Sequence, residues 1–580
     1  MSSRQKATPR KPKAAREAEQ QARQLPASDL LKNVGRAALF LIIAGIASPV
    51  SQLNLSPVYG SIPASLHHQR AITITAALAL IGKGSLKKYL PSQLADYAAV
   101  IAYWTPVVQF FLFHYSGRLG IEYGPLLIES LTYLPFLLLS CFAASDLLDT
   151  LDLSQYNVPP AVAEAINPIA SYFTVSSVAK IAGSVLPSHV GTHIWFTRIG
   201  LQMLIGSASA ALRPSRVILL ALPAILHTLW ANPHHPSDHA LQKANATLWN
   251  AEDFKLLARQ ESITGYISVL ENDREDAFRL LRCDHSLLGG EWLVTPSAFE
   301  KGQKQRETIF SVFVLLEAVR LVEDQEAEID PIPDSQKSAL VIGLGIGTAP
   351  NGLMAHHINT TIVELDPVVH HYASKYFNLS PNHTAVIDDA VQYVGEKSLT
   401  NPNSYNYIIH DVFTGGAEPV YLFTKEFFEG LHALLTDDGV VAINYAGDIG
   451  LGSTRLVLNT IHSVFPACRL FRDSPRAADW QPGDADFINM VVFCVKDDRG
   501  KGKLAVNFRQ AGEDDYRGSL ARRNYLMPRE ENEIQYDYAE GANTMSKGDV
   551  GELEKYHKEG AVSHWRIMRS VLPDVVWETW

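Results

Sequence analysis

Three carboxylates in the middle of the chain stand where they could hold a nucleoside and take up a proton. Glu364 closes the apolar run of "TTIVELD", Asp389 follows "HTAVID", and Asp411 follows "YNYIIH". Before them, "SALVIG" runs into a turn in which Gly343, Gly345 and Gly347 alternate. Glycines in such a turn let the backbone approach a ligand closely, and the helix that follows offers free N–H groups. An acid about 20 residues beyond the turn is placed to grip a ribose hydroxyl pair. The second acid, followed by Ala390, can accept a hydrogen bond from an adenine amino group. The third can accept a proton.

Strands must position these groups. The pattern predicts short buried strands at 338–343, 360–366, 383–388 and 404–411, then a helix, a turn and a fifth strand within 430–446. Glu364, Asp389 and Asp411 then lie at the carboxyl ends of successive strands, which line one crevice in an open parallel sheet. The glycines follow G-x-G-x-G, with Thr348 where a dinucleotide fingerprint has its third glycine. That loop suits an S-adenosyl sulfonium, which has no pyrophosphate, better than NAD.

On these residues the sequence resembles the spermidine/spermine synthase (polyamine aminopropyltransferase) family. That family has a Rossmann-like class I methyltransferase fold with a small preceding β domain. "GLGIGT" stands at its glycine loop, "VELD" at its ribose-binding acid, "DDA" at its adenine-binding acid and "YNYIIHDVFTGGAEP" at its catalytic loop. "ESITGYISVLENDREDAFRLLRCDHSLLGG" (261–290) resembles its β-hairpin domain, with Ile267, Val269 and Asp284 at matching positions. The resemblance implies that Gly343, Gly345, Gly347, Glu364, Asp389 and Ala390 bind S-adenosylmethionine or its decarboxylated form. It also implies that Asp411 is the proton acceptor and that the enzyme is a homodimer. The acceptor is then an amine or another small molecule, and no metal is required. Three departures bear on the transferred group. Ile346 replaces the loop aspartate, Thr414 replaces the second acid of the catalytic loop, and Thr264-Gly265 replaces a Tyr-Gln pair. A polyamine pocket normally needs several carboxylates, so aminopropyl and methyl transfer both stay open. A degenerate, ligand-sensing domain is the rival reading, and a transporter or scaffold whose function lies in its helices is another.

The 580 residues divide unevenly. Residues 1–30 form a basic tail that reads as disordered. Residues 31–232 hold long apolar runs, clearest at 95–115 and 123–145, which suggest six or seven bilayer-spanning helices in a membrane-anchored, fungal-type variant of the family. A solvated, histidine-rich linker is expected at 233–254, the small β-rich part at 255–330 and the S-adenosyl-binding domain at 331–500. A charged insertion and C-terminal extension, with Trp565, Trp577 and Trp580 packed or at the membrane interface, complete the chain at 501–580. Lys83, Lys87 and Lys88 mark a cytoplasmic loop on the positive-inside rule. The catalytic domain is expected in the cytosol, where the cofactor is made. Asn245, Asn359 and Asn382 open formal N-glycosylation triplets. The net charge of −11 argues against nucleic-acid binding. Four scattered cysteines without a CxxC pair support neither a zinc site nor a disulfide framework.

Overall fold

The computed structural model describes residues 27–86, 93–149, 159–323, 332–412, 419–476, 480–481, 486–496, 506–538 and 542–580. Thr414, Lys87, Lys88 and residues 1–26 of the basic tail lie outside them, while residues 27–30 open the first helix.

The N-terminal part is a helical bundle. Its first helix, Ala27–Tyr59, carries Phe40, Leu41 and Ala44 into a core with Phe136, Leu137 and Cys141 of the helix Tyr133–Leu148. Among the described residues, three helices are long and apolar enough to cross a membrane: Ser28–Tyr59, Leu94–Phe113 and Ala165–His189. The bent pair Ser116–Leu131 and Tyr133–Leu148 makes four if it counts as one span. The apolar runs lead to an expectation of six or seven. The run 123–145 is broken at Thr132, whose φ and ψ of −126° and −86° are not helical. The segments around 71–82 and 215–231 form a 13-residue helix, His68–Leu80, and a 9-residue helix, Leu222–Trp230. Lys83 is largely buried and pairs with Asp146 and Asp149, so it is not a free loop cation.

The expected solvated linker is mostly a helix, Asp238–Glu252. Ser237 caps it, and its Ala244 and Leu248 pack in a core with Val576 and Trp577. His234 is buried, stacked on Trp580 at 4.4 Å, with Nε2 hydrogen-bonded to the Glu578 carbonyl. The alternation of apolar and polar residues that marks a buried helix face is weak here, which is why this stretch reads as solvated. Among the described residues, no group of three or more His, Cys, Asp or Glu could hold a metal ion.

An antiparallel sheet of five strands follows: β1 (Phe254–Ser262), β2 (Gly265–Asn272), β3 (Phe278–Cys283), β4 (Ser286–Trp292) and β5 (Glu307–Thr308). It leads into a seven-stranded sheet of β6 (Ser338–Ile342), β7 (Asn359–Glu364), β8 (His383–Ile387), β9 (Tyr405–His410), β10 (Leu435–Gly447), β11 (Ala467–Arg472) and β12 (Ile488–Val495). The strand order is β11-β12-β10-β9-β6-β7-β8, with only β12 antiparallel to its neighbours. This is the class I methyltransferase-like α/β sheet. From β6 the chain winds outward through β7 and β8, then returns to the other side of β6 as β9. The switch point therefore lies between β6 and β9, and ligands in such sheets bind at its carboxyl end.

Two cysteines that the spacing left unpaired meet across β11 and β12. Cys468 and Cys494 are register partners and form a disulfide. Sequence separation alone could not reveal this, since strand pairing is what brings them opposite each other.

The C-terminal extension is integrated into both halves. Trp565 and Trp580 share a core with Leu55, Val58, Tyr59 and Phe113 of the helical bundle and with Tyr266 of β2. Two buried arginines fasten the join. Arg198 donates to the Leu53 carbonyl and pairs with Glu261 and Asp284. Arg282 donates to the carbonyls of Pro57, Val576 and Asp284.

Candidate active site

The glycine turn and the catalytic loop touch at the switch point. Asp411 N–H donates to the Ile342 carbonyl at 2.9 Å. Gly343 has a φ of +83°, and a Cβ there would run into the Asp411 carbonyl oxygen. Gly345, φ +54°, lies as tightly against the Leu288 carbonyl of β4, so the small sheet forms the roof of the turn. Only glycine fits either position. Gly347 begins the helix Thr348–Ala355 and packs on Leu379, off the cavity.

One cavity collects the other residues picked out by the sequence. Gly343, Gly345, Glu364, Asp389, Ala390 and Asp411 all line it. Glu364 is buried at the end of β7 and accepts from Asp366 N–H at 2.8 Å. Burial pushes its carboxyl up to about 7, against the smaller opposing effect of these backbone donors. The neighbouring Asp366 has a different task. It caps the helix Pro367–Tyr376 and accepts from Ser262 and Thr264, tying β1 and β2 to the large sheet. Asp389 caps the helix Ala390–Thr400 through Val391 N–H. Asp411 is pushed up to about 6 by burial, while the Asn444 amide, donating at 2.8 Å, works the other way. Asn444 Oδ1 is buried and has no hydrogen-bond partner among the described residues.

The far wall was not foreseen. Tyr59 and Gly60 from the end of the first helix, His285 from the β3–β4 turn, and His564 and Trp565 from the helix His557–Val571 face the same cavity. Arg569 Nε donates to His285 Nε2 at 3.2 Å, so the imidazole proton sits on Nδ1. His285 lies between the rings of Trp565 and Trp577, and burial holds its pKa well below the ordinary histidine value. His564 is lowered to about 4, again chiefly by burial. Both rings are therefore neutral near pH 7. A second cavity opens from the first, and Gly345, Leu288, Asp411 and His564 border both.

The larger cavity fits an S-adenosyl ligand. A deeply buried carboxylate with a raised pKa gains hydrogen bonds from a ribose diol, and the glycine turn leaves room for the amino-alkyl arm. Ile346 does not line the cavity. It is buried among Ile267, Val368 and Tyr372, so an apolar contact occupies the position of the family's loop acid.

Residues 328–470 match the spermine/spermidine synthase domain. A curated relative from Emericella nidulans, described as an N-terminal histidine N-methyltransferase, is 44% identical over 570 residues, covering 95% of this chain and 98% of the relative. A polyamine aminopropyltransferase from Vibrio vulnificus is 36% identical over 109 residues, or 18% of this chain and 36% of its own length. Among solved structures, a probable spermidine synthase from Corynebacterium glutamicum covers 50% of this chain and 97% of its own, at 17% identity and a TM-score of 0.33. The near full-length match to the first relative decides the assignment: the chain belongs to the same family as that methyltransferase, a transferase with a spermine/spermidine synthase domain that uses S-adenosylmethionine.

Proposed function

We propose that this chain is a membrane-anchored methyltransferase acting on the N-terminal histidine of a peptide or protein. The observation that carries the reading is the pairing of Asp411 with Asn444 where the two cavities meet. Among the described residues, Asp411 is the one carboxylate that borders the second cavity. A diamine or triamine would bring several positive charges to that one acid, which disfavours aminopropyl transfer. An N-terminal histidine presents an imidazole with a pKa near ~6.5 and an amine near ~8, each with a substantial neutral fraction at neutral pH.

S-adenosylmethionine supplies an already activated methyl group, so no protein nucleophile is needed. The protein holds the acceptor nitrogen in line with that methyl group. Glu364 accepts from the ribose hydroxyls and Asp389 from the adenine amino group, with Ala390 beside it. Gly343 and Gly345 admit the amino-alkyl arm. Asp411 and the Asn444 amide oxygen receive the acceptor's N–H groups. The charge that arises on the nitrogen as the N–C bond forms is relieved by transfer of its proton to Asp411. Neutral His285 and His564 add no positive charge that would repel the sulfonium.

Membrane anchoring rests on the helices. The segment Ala165–His189 has only 11% of its apolar window buried, and Phe173 and Ile181 point away from the protein. Such a surface calls for a lipid neighbour. The disulfide Cys468–Cys494 supports placing the transferase domain on the oxidising side of that membrane, in place of the cytosol.

The test uses the full chain in detergent with S-adenosylmethionine and a peptide that begins with histidine. The reading requires the gain of one methyl group on the first residue. It fails if that peptide is untouched while decarboxylated S-adenosylmethionine and a diamine yield product.

A further inference from the structure

The second cavity is built from segments that mostly lie outside the matched synthase domain. Its walls include Phe310 and Phe313, Ile488 at the start of β12, and Ile567 and Val571 on one side of the helix His557–Val571. Ile567 and Val571 are four residues apart, so they lie on one helix face. They stay 38% and 50% exposed, although Met568, which lines the same cavity, and Trp565 on the same helix are buried. A large apolar surface left open beside a catalytic carboxylate marks a binding position more than a packing fault.

Asp411 and Asn444, joined by a hydrogen bond, line this cavity together with Asn489 and His564. Asn444 Oδ1, without a partner among the described residues, can accept there from an N–H group of the bound molecule. The cavity thus has a hydrogen-bonding floor at the point of chemistry and apolar walls leading away from it. A free amino acid would reach only the floor. A chain end would place its first residue there and lay its following side chain along the walls.

We propose that this apolar channel is a specificity site for the residue that follows the methylated terminus, and that it selects peptide ends carrying an apolar side chain at that position. The inference rests on the peptide-acceptor reading above. Ile567 and Val571 on the C-terminal helix are its selecting residues. Burying one aliphatic side chain in such a channel discriminates by roughly tenfold or more. A carboxylate there would be desolvated with no cation among the described channel-lining residues.

The test measures kcat/KM of the full-length protein on peptides that begin with histidine and differ only in the second residue, with Leu, Ala, Asp or Lys there. Leu is expected to exceed Asp by roughly tenfold or more, mainly through KM. Ile567→Lys is expected to raise the Asp peptide and lower the Leu peptide, a reversal that misfolding cannot produce. Equal kcat/KM across the series, or no reversal in Ile567→Lys, overturns the channel assignment and leaves the histidine reading intact. No methylation of any peptide in the series, by protein that binds S-adenosylmethionine, overturns the histidine reading itself.

Discussion

The Asn444 side chain donates to the Asp411 carboxylate at 2.8 Å, from the middle of β10 to the end of β9. The two strands are parallel neighbours in the sheet, so the contact is fixed by the fold and does not depend on a mobile loop. It opposes the burial that pushes Asp411 up to about 6. As a proton acceptor Asp411 must be ionised, so kcat/KM should rise through about pH 6 and then level. Asp411→Asn should lower kcat by ~10²–10⁴-fold while S-adenosylmethionine still binds. Asn444→Ala should move the acid limb upward by about one pH unit, since a donor to the charged form is lost. A pH–rate profile of the three proteins checks all of this, and an unmoved limb in Asn444→Ala would deny the pair its role.

Glu364 makes the ligand-free protein sensitive to pH in the reverse direction to most carboxylates. Its pKa is raised from 4.5 in the unfolded chain to about 7 in the fold. The folded state therefore holds a proton that the unfolded state has released. Its contribution is fully present below pH 4.5 and is lost as pH rises through 7, by an amount on the order of 3 kcal/mol. Thermal unfolding between pH 5 and 8 should show Glu364→Gln gaining on the wild type as pH rises. S-adenosylmethionine should stabilise the wild type more than the variant at pH 8, because the ribose hydroxyls donate to the carboxylate. Parallel curves for the two proteins would remove Glu364 from the ribose role.

What the sequence made legible and what it hid divide along contact range. Glu364, Asp389 and Asp411 could be found because a strand end and its acid are adjacent in sequence, and three such ends repeat. Asn444 is a polar residue inside the apolar run "GVVAINYA", where a lone polar side chain in a buried strand marks a functional position. Tyr59, His285 and Trp565 come together from three distant parts of the chain, and no local pattern links them. Among the described residues, fewer helices reach spanning length than the apolar runs suggest, for a different reason. Hydropathy averages across a break, so it does not register the non-helical backbone at Gly120 or Thr132.

Arg282 should prove indispensable to the far wall. Its guanidinium reaches carbonyls of the first helix end, the C-terminal segment and its own hairpin, and burial lowers its pKa to about 10. Arg282→Met fills similar space but leaves the Pro57, Val576 and Asp284 carbonyls without this donor. Each buried carbonyl left unpaired costs about 1–3 kcal/mol, not additively. Limited proteolysis should release the segment after 557 earlier than in wild type, and S-adenosylmethionine should bind more weakly because Trp565 and His564 line its cavity. The same contacts predict that residues 250–580 alone, without the Leu53, Ser56 and Pro57 partners, will be poorly folded. A soluble, cooperatively melting 250–580 fragment with full cofactor affinity would contradict both expectations.

The disulfide and one of the three glycosylation triplets test which side of the membrane holds the transferase domain. Asn245 is already engaged, its Oδ1 accepting from Leu256 N–H at 3.0 Å. The Asn359 triplet includes Thr360, which is fully buried at the start of β7. Asn382 and Thr384 are both exposed, beside and within the sheet-edge strand β8. On the oxidising side, Cys468 and Cys494 should resist alkylation until reduced, and a glycosidase should lower the apparent mass of the native protein. Asn382→Gln alone should abolish that shift, with Asn245→Gln and Asn359→Gln leaving it in place. Free thiols at 468 and 494 together with an unglycosylated Asn382 would put the domain in the cytosol. The acceptor would then be a cytosolic chain end, and the channel beside Asp411 would have to be read against that set of peptides.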